Sequence, residues 1–231
     1  MNGGVSSELD ERIGAALQAT ARTLEQDIAE RTLSKIREIP HLTAAVRAGL
    51  TSALIDDVQP AGRKLSIRSW EPAGIQGRLG GFDVVVGSFP HYRALFELKW
   101  AKSKDELGWT LWDVYKLLAG RLEYGARAYA IVGAPDAYWA DEAVGCASLY
   151  CDAVWESHEL FRRYCRDWKN LLAGGTARPL RIPAAIETRL VAAEAIDCAP
   201  GWELRALAVD VPGFDWLEFE GDWPVGHVCG S

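Results

Sequence analysis

The chain has 231 residues, with 25 Lys and Arg against 32 Asp and Glu, a formal net charge of −7. Hydrophobic residues make up 49 % of it, which predicts one ordinary globular domain, or a domain with a helical extension, and excludes general disorder. No apolar run approaches the roughly 18 residues that span a bilayer, and the polar, acidic start is unlike a secretory leader, so the expectation is a cytoplasmic protein with no membrane partner.

Ser7 followed by Asp10 resembles a capping box. Leu9, Ile13, Leu17, Leu24 and Ile28 then recur at helical spacing, which predicts a long amphipathic helix ending before Pro40. Leu42, Val46, Leu50 and Leu54 predict a second helix stopping before Pro60. These two helices, within residues 1–60, are expected to pack on a core formed by residues 61–231, the whole being one folded unit.

From Arg63 the texture changes. Leu65 to Trp70 alternates apolar and polar, as a half-buried strand does, and Glu71 to Gly81, with four glycines and a proline, reads as turns. Phe82–Gly87 (FDVVVG) and Ala94–Trp100 (ALFELKW) are strand-length apolar runs separated by a turn-rich segment. Ser103 or Asp105 is expected to cap a helix running to about Leu122, and Arg127–Gly133 reads as a buried strand. Helices are expected near Asp136–Val144 and from about Glu156 to Leu172, followed by a turn at Gly174-Gly175. Ile186–Ile196 is ambiguous between helix and strand, and Trp202–Val211 alternates as a late strand. The acidic, aromatic segment Phe214–Trp223 reads as cover for the core edge or as a partner-docking tail. Helices, three strands, a helix, a strand and further helices make an α/β protein.

The charge is unevenly spread. Residues 1–60 are net −3, residues 61–127 net +4 and residues 128–231 net −8. A wholly basic nucleic-acid coat is excluded, but a local positive surface in the middle is not. Five cysteines, odd in number and without a CxxC pair, point to reduced thiols rather than a disulfide framework or zinc ribbon.

Within the basic middle, Glu97 and Lys99 are two apart on a predicted strand and so project from one face, with Leu98 on the other. A hairpin centred near Pro90 would set Asp83 directly opposite Glu97, with Cβ atoms about 4.5–5.5 Å apart. Two carboxylates so close repel unless a cation lies between them, and a hard divalent ion such as Mg²⁺ suits them. With the Lys99 ammonium alongside, this set fits phosphodiester hydrolysis. The alternatives are an exposed strand face laced by a Glu–Lys pair, or a structural α/β domain in which Asp83 and Glu97 do not converge.

Asp83, thirteen intervening residues and then Glu97-Leu98-Lys99 resembles the D…(D/E)xK signature of the PD-(D/E)XK nuclease superfamily. The resemblance covers roughly residues 25–135 and departs from the pattern in having Phe82 rather than proline before Asp83. It implies a restriction-endonuclease-like three-layer core, a mixed central sheet flanked by helices. It implies also that Asp83, Glu97 and the Leu98 carbonyl hold Mg²⁺ or Mn²⁺ and that Lys99 is the catalytic lysine. Glu30 is the candidate acid from the preceding helix, and Asp113 and Lys116, on one face of the following helix, are candidate site residues. The implied activity is metal-dependent cleavage of nucleic acid, DNA before RNA, in a defence or nucleic-acid-processing system. The alternative is a catalytically inactive module of the same fold that binds nucleic acid or, through its acidic flanks, a protein partner.

Arg63, Lys64, Arg68, Arg78, Lys102, Lys104, Arg121 and Arg127 are candidate phosphate contacts, and Trp100, Trp109 and Trp112 candidate base-stacking residues. His91, in the hairpin turn, is a further candidate for touching substrate. The other histidines have no ligand spacing. The glycines of residues 74–81 match no phosphate-cradling motif.

Overall fold

Leu9, Ile13, Leu17, Leu24 and Ile28 form one stripe of α1 (Glu8–Glu30), whose inner residues Ile13, Leu17 and Leu24 are fully buried. This computed structural model describes residues 8–30, 35–59, 70–71, 81–140, 149–164, 178–179, 181–198, 201–213, 215–220 and 223–228. A π-helical turn at Glu38–Leu42 leads into α2 (Thr43–Ser52), which crosses α1 so closely that a Cβ on Gly49 would lie 2.4 Å from the Ala16 carbonyl oxygen.

Twelve strands follow in chain order: β1 (Val58–Gln59), β2 (Trp70–Glu71), β3 (Val84–Ser88), β4 (His91–Trp100), β5 (Arg127–Pro135), β6 (Ala153–Glu156), β7 (Arg178–Pro179), β8 (Arg181–Pro183), β9 (Ala185–Ile196), β10 (Trp202–Asp210), β11 (Trp216–Glu220) and β12 (Trp223–Val228). Between them lie α3 (Lys104–Gly108), α4 (Thr110–Tyr124), α5 (Asp136–Ala140) and α6 (Ser157–Tyr164). The central sheet has seven strands in the order β1-β3-β4-β5-β10-β9-β6. It is mixed: β4 and β5 are parallel, because α4 carries the chain back between them, and the other pairs are antiparallel. Smaller sheets join β8, β11 and β12, and β2 with β7.

Period-2 alternation divides the core in two. Ala94, Phe96, Leu98 and Trp100 of β4 pack with Tyr129 and Ile131 of β5 beneath α1 and α2. Leu95 of β4 and Ala128, Ala130, Val132 and Ala134 of β5 pack beneath α4. The molecule is therefore an α/β fold with helices on both faces of a mixed sheet. The small side chains of β5 on the α4 face let that helix approach the sheet closely.

Several expectations change here. The single helix expected through Leu122 is two, because the chain turns at Trp109 after α3. Ser103 caps α3 by accepting the Glu106 N–H at 3.2 Å. The ambiguous stretch 186–196 is strand β9, paired with β10 along its length. Asp10 does not cap α1, since its carboxylate points to the sheet, accepting from Tyr129 Oη at 2.9 Å and Arg189 Nη2 at 2.7 Å. Strands β6, β8, β11 and β12 had no sequence expectation; β11 pairs with β8, and Leu217 is buried against the core. Ser7, residues 60–69 with most of the strand expected at Leu65–Trp70, the turns at 72–80, the ends of the helices beyond Ala140 and Tyr164, Gly174-Gly175 and Cys146, Cys165 and Cys229 lie outside the described residues. Cys151 is exposed and Cys198 half-buried. No described helix is long and apolar enough to cross a membrane.

Candidate functional site

The site is built on the hairpin β3–β4. Val84 pairs with Phe96, Val85 with Leu95 and Val86 with Ala94, and the Asp83 N–H donates to the Phe96 carbonyl at 3.1 Å. The expected register therefore holds at the open end and sets Asp83 beside Glu97. Toward the turn it slips by one residue at Gly87, whose φ of +100° and missing Cβ admit a bulge against His91.

Strand β3 begins at Val84, so among the described residues β4 runs on past it without a backbone partner on that edge. Carboxylates fill the gap: the Leu98 N–H donates to Asp83 Oδ2 at 2.8 Å, and the Trp100 N–H to Glu38 Oε2 at 3.3 Å. A strand residue sends its N–H and C=O to the same side. The Leu98 carbonyl thus emerges on the edge where Asp83 stands, as a metal ligand there would have to.

Glu97 and Lys99 project from the other set of β4 positions, toward α4. Lys116 Nζ lies 2.7 Å from Glu97 Oε1 and 4.0 Å from Asp113 Oδ1, and donates to the Gly81 carbonyl at 3.3 Å. Lys99 Nζ lies 3.3 Å from Glu38 Oε2 and 4.0 Å from Asp113 Oδ2. Asp83, Glu97, Lys99, Asp113 and Lys116 are thus brought together as expected. Glu30 is not: it is exposed at the last position of α1. The acid that the N-terminal segment delivers is Glu38, eight residues later, presented by the π-helical turn. Its only sequence signal was a lone Glu just before Pro40.

Burial drives the electrostatics. Removal from water pushes the Glu97 carboxyl well above its ordinary value, Lys116 opposing and Asp83 and Asp113 adding to the rise. Burial likewise raises Asp113 against the pull of both lysines, and raises Asp83 despite the hydrogen bond from Leu98. Burial would lower the lysines, but carboxylates outweigh it: Asp113 and Glu38 raise Lys99, while Glu97 and Asp113 raise Lys116. Both lysines are therefore cations at neutral pH.

Four carboxylates face two ammonium groups, which leaves a formal excess of two negative charges when all are ionised. All the donors are hard oxygens, suited in number and charge to one divalent ion of the Mg²⁺ class. Among the described residues no three acidic, histidine or cysteine side chains form a ready metal cage. The Lys116 ammonium takes the place beside Glu97 Oε1, and a metal held by Glu97 there must displace it.

The other candidates separate. Arg121 is paired with Asp210 at 2.6 Å, and Arg127 lies 3.7 Å from Asp10 Oδ2, at the start of β5 level with Ala94. Both belong to a different cavity. Lys102 and Lys104 are exposed beside α3, and Arg63, Lys64, Arg68 and Arg78 lie outside the described residues. His91 opens β4 six residues before Glu97, about 20 Å away along the strand, and does not join the site. Trp100 is buried, stacked on Trp202 with ring centroids 4.2 Å apart, and Trp112 is buried too. Trp109 is 48 % exposed. No family model, curated protein or solved structure matches the chain.

Proposed function

We propose that the protein is a metal-dependent phosphodiesterase acting on nucleic acid, with DNA the first substrate to test. The observation that carries this reading is the convergence of Asp83, Glu97 and Lys99 at the open end of one hairpin, with Asp113 and Lys116 closing over them from α4. Charged groups in a strand interior are costly to bury, and six of them around one point are better explained by chemistry than by stability. The likeness of the D…ExK pattern to the PD-(D/E)XK nucleases and the mixed sheet with helices on both faces agree with it.

Asp83, Glu97 and the Leu98 carbonyl would hold Mg²⁺ or Mn²⁺. The chemistry such an ion supplies when bound is polarisation of a phosphoryl oxygen and a lowered pKa for a water molecule. The chain's own groups do the rest. The hydrogen bond from Leu98 engages Oδ2 of Asp83 and so fixes the carboxylate at the edge of β4. Lys99, kept charged by Asp113 and Glu38, cannot serve as the resting base; it orients the nucleophile and offsets charge developing on the phosphate. Asp113, 4.0 Å from each ammonium group, offsets the repulsion between the two lysines and so lets both stand at the site.

The test is cleavage of labelled single- and double-stranded DNA and RNA with Mg²⁺, Mn²⁺ or EDTA, comparing the wild type with Lys99→Ala. Metal-dependent cutting lost in the variant supports the proposal. Equal inertness of two folded proteins removes it.

One observation favours a second reading. Lys116 pairs its ammonium with Glu97 where a metal would otherwise bind, so the cluster can stand without an ion in a catalytically silent binding module. Calorimetric titration with Mn²⁺ separates the two, since the silent module has no need to take up the ion.

A further inference from the structure

The face of α4 over the site departs from full burial along a single stripe. From Thr110 to Gly120 every residue is buried except Asp113 and Lys116. Trp109 precedes them by four and seven residues, so the three share that stripe. Side-chain exposure rises outward along it, from 12 % at Lys116 to 15 % at Asp113, and Trp109 is 48 % exposed. At the inner end the stripe is shut at Gly120, where a Cβ would lie 2.3 Å from Phe82 Cζ. The stripe thus runs from Phe82, past the charged groups, to the exposed Trp109 at the start of α4. Trp100 and Trp112 are packed away, so of these three tryptophans Trp109 is the one that a ligand can reach.

We propose that Trp109 is the stacking platform for an unpaired nucleobase beside a phosphate held at the charged cluster, and hence that the substrate is single-stranded or frayed-ended nucleic acid. This rests on the phosphodiesterase reading for the phosphate and adds the form of the substrate. An indole offers every base a π-face, without reading its identity. A base inside a continuous duplex has both faces already stacked, so only an unpaired or terminal base can use Trp109. The ring stands one helical turn from Asp113, which places the stacked base next to, and not upon, the reacting phosphate.

The experiment titrates the protein, in EDTA, into strands of about 12 nucleotides carrying an internal 2-aminopurine, as a single strand and as a blunt duplex. The wild type is expected to quench the single strand and to bind it more tightly than the duplex. Trp109→Phe should keep the quenching, and Trp109→Ala should lose it while binding about 5- to 150-fold more weakly. The half-exposed position leaves the fold intact, which a thermal melt of each variant checks. Quenching that survives in Trp109→Ala, no quenching by the wild type, or a duplex bound as well as the single strand would overturn the assignment. Cleavage of the same strands with Mg²⁺ or Mn²⁺ reads the parent proposal separately. Cutting with KM unchanged in Trp109→Ala sinks the stacking role alone. Trp109-dependent quenching without any cutting sinks the phosphodiesterase reading alone.

Discussion

Lys116 Nζ and Glu97 Oε1 meet at 2.7 Å across the boundary between α4 and β4, both almost out of reach of water. Removing the lysine leaves a buried carboxylate without its partner. Lys116→Met is expected to cost about 3–5 kcal/mol at pH 8, read from urea denaturation. The loss should shrink on acidification. The native carboxyl, already raised by burial, then holds its proton at a pH where the unfolded chain has released it, so the native state binds more protons and gains stability as pH falls through that window. Added Mn²⁺ should restore the midpoint at pH 8 by replacing the missing cation, and a midpoint indifferent to Mn²⁺ would show that Glu97 is no metal ligand.

Glu38 anchors Lys99 at 3.3 Å and also accepts the Trp100 N–H. Glu38→Gln keeps an acceptor for the backbone but takes away the anionic partner. Under the phosphodiesterase reading kcat should fall about tenfold, an effect of about 1.4 kcal/mol, with KM little changed. Lys99, no longer held up by Glu38, should lose its proton at lower pH, moving the alkaline limb of the pH–rate profile downward. A profile with an unmoved alkaline limb would exclude Lys99 as the group titrating there.

Cation binding at Asp83 and Glu97 requires both carboxylates to be ionised. Because burial raises both, metal-dependent cleavage should fail on acidification at a pH well above the ordinary glutamate value of 4.5. The check is kcat/KM against pH at saturating Mg²⁺. An inflection at or below that value would mean that neither buried acid controls the rate.

Asp10 is buried and bonded to Tyr129 and Arg189, which lie 119 and 179 residues away in sequence. It ties the start of α1 to β5 and β9 on the face of the sheet opposite to the one from which Glu97 projects. Asp10→Ala should destabilise by about 3–5 kcal/mol, as breaking a buried pair does. Below its lowered melting temperature the variant should cleave at the wild-type rate. A loss of rate in a folded variant would place Asp10 in the site's own support.

The hairpin was legible because three independent signals agree. Apolar runs of strand length flank a turn, and the charged residues that interrupt the second run keep a two-residue period. A pairing centred near Pro90 puts Asp83 against Glu97. The slip at Gly87 was hidden, since a bulge costs the sequence only one glycine. Glu38 was hidden too, because the π-helical turn brings it onto β4 across 62 residues of sequence, whereas the resemblance pointed to an acid within the preceding helix. The stretch 186–196 resisted reading because its alanines and glutamates suit a helix, and its pairing with β10 on one side and β6 on the other makes it a strand. The break between α3 and α4 left no proline or strong turn signal. It follows from the Ser103 cap and the short turn at Trp109, which let α4 lie over the small residues of β5.

The carboxylates that occupy the Leu98 and Trp100 N–H groups have a consequence of another kind. Where β3 stops, β4 would offer a strip of unclaimed donors, the pattern on which a strand from another molecule can assemble. Asp83 and Glu38 fill that strip with side chains, and negatively charged ones, which repel the carbonyl oxygens of an incoming strand. The acids of the charged cluster also keep the sheet from growing past its own edge, so solubility and the proposed catalysis depend on the same two residues.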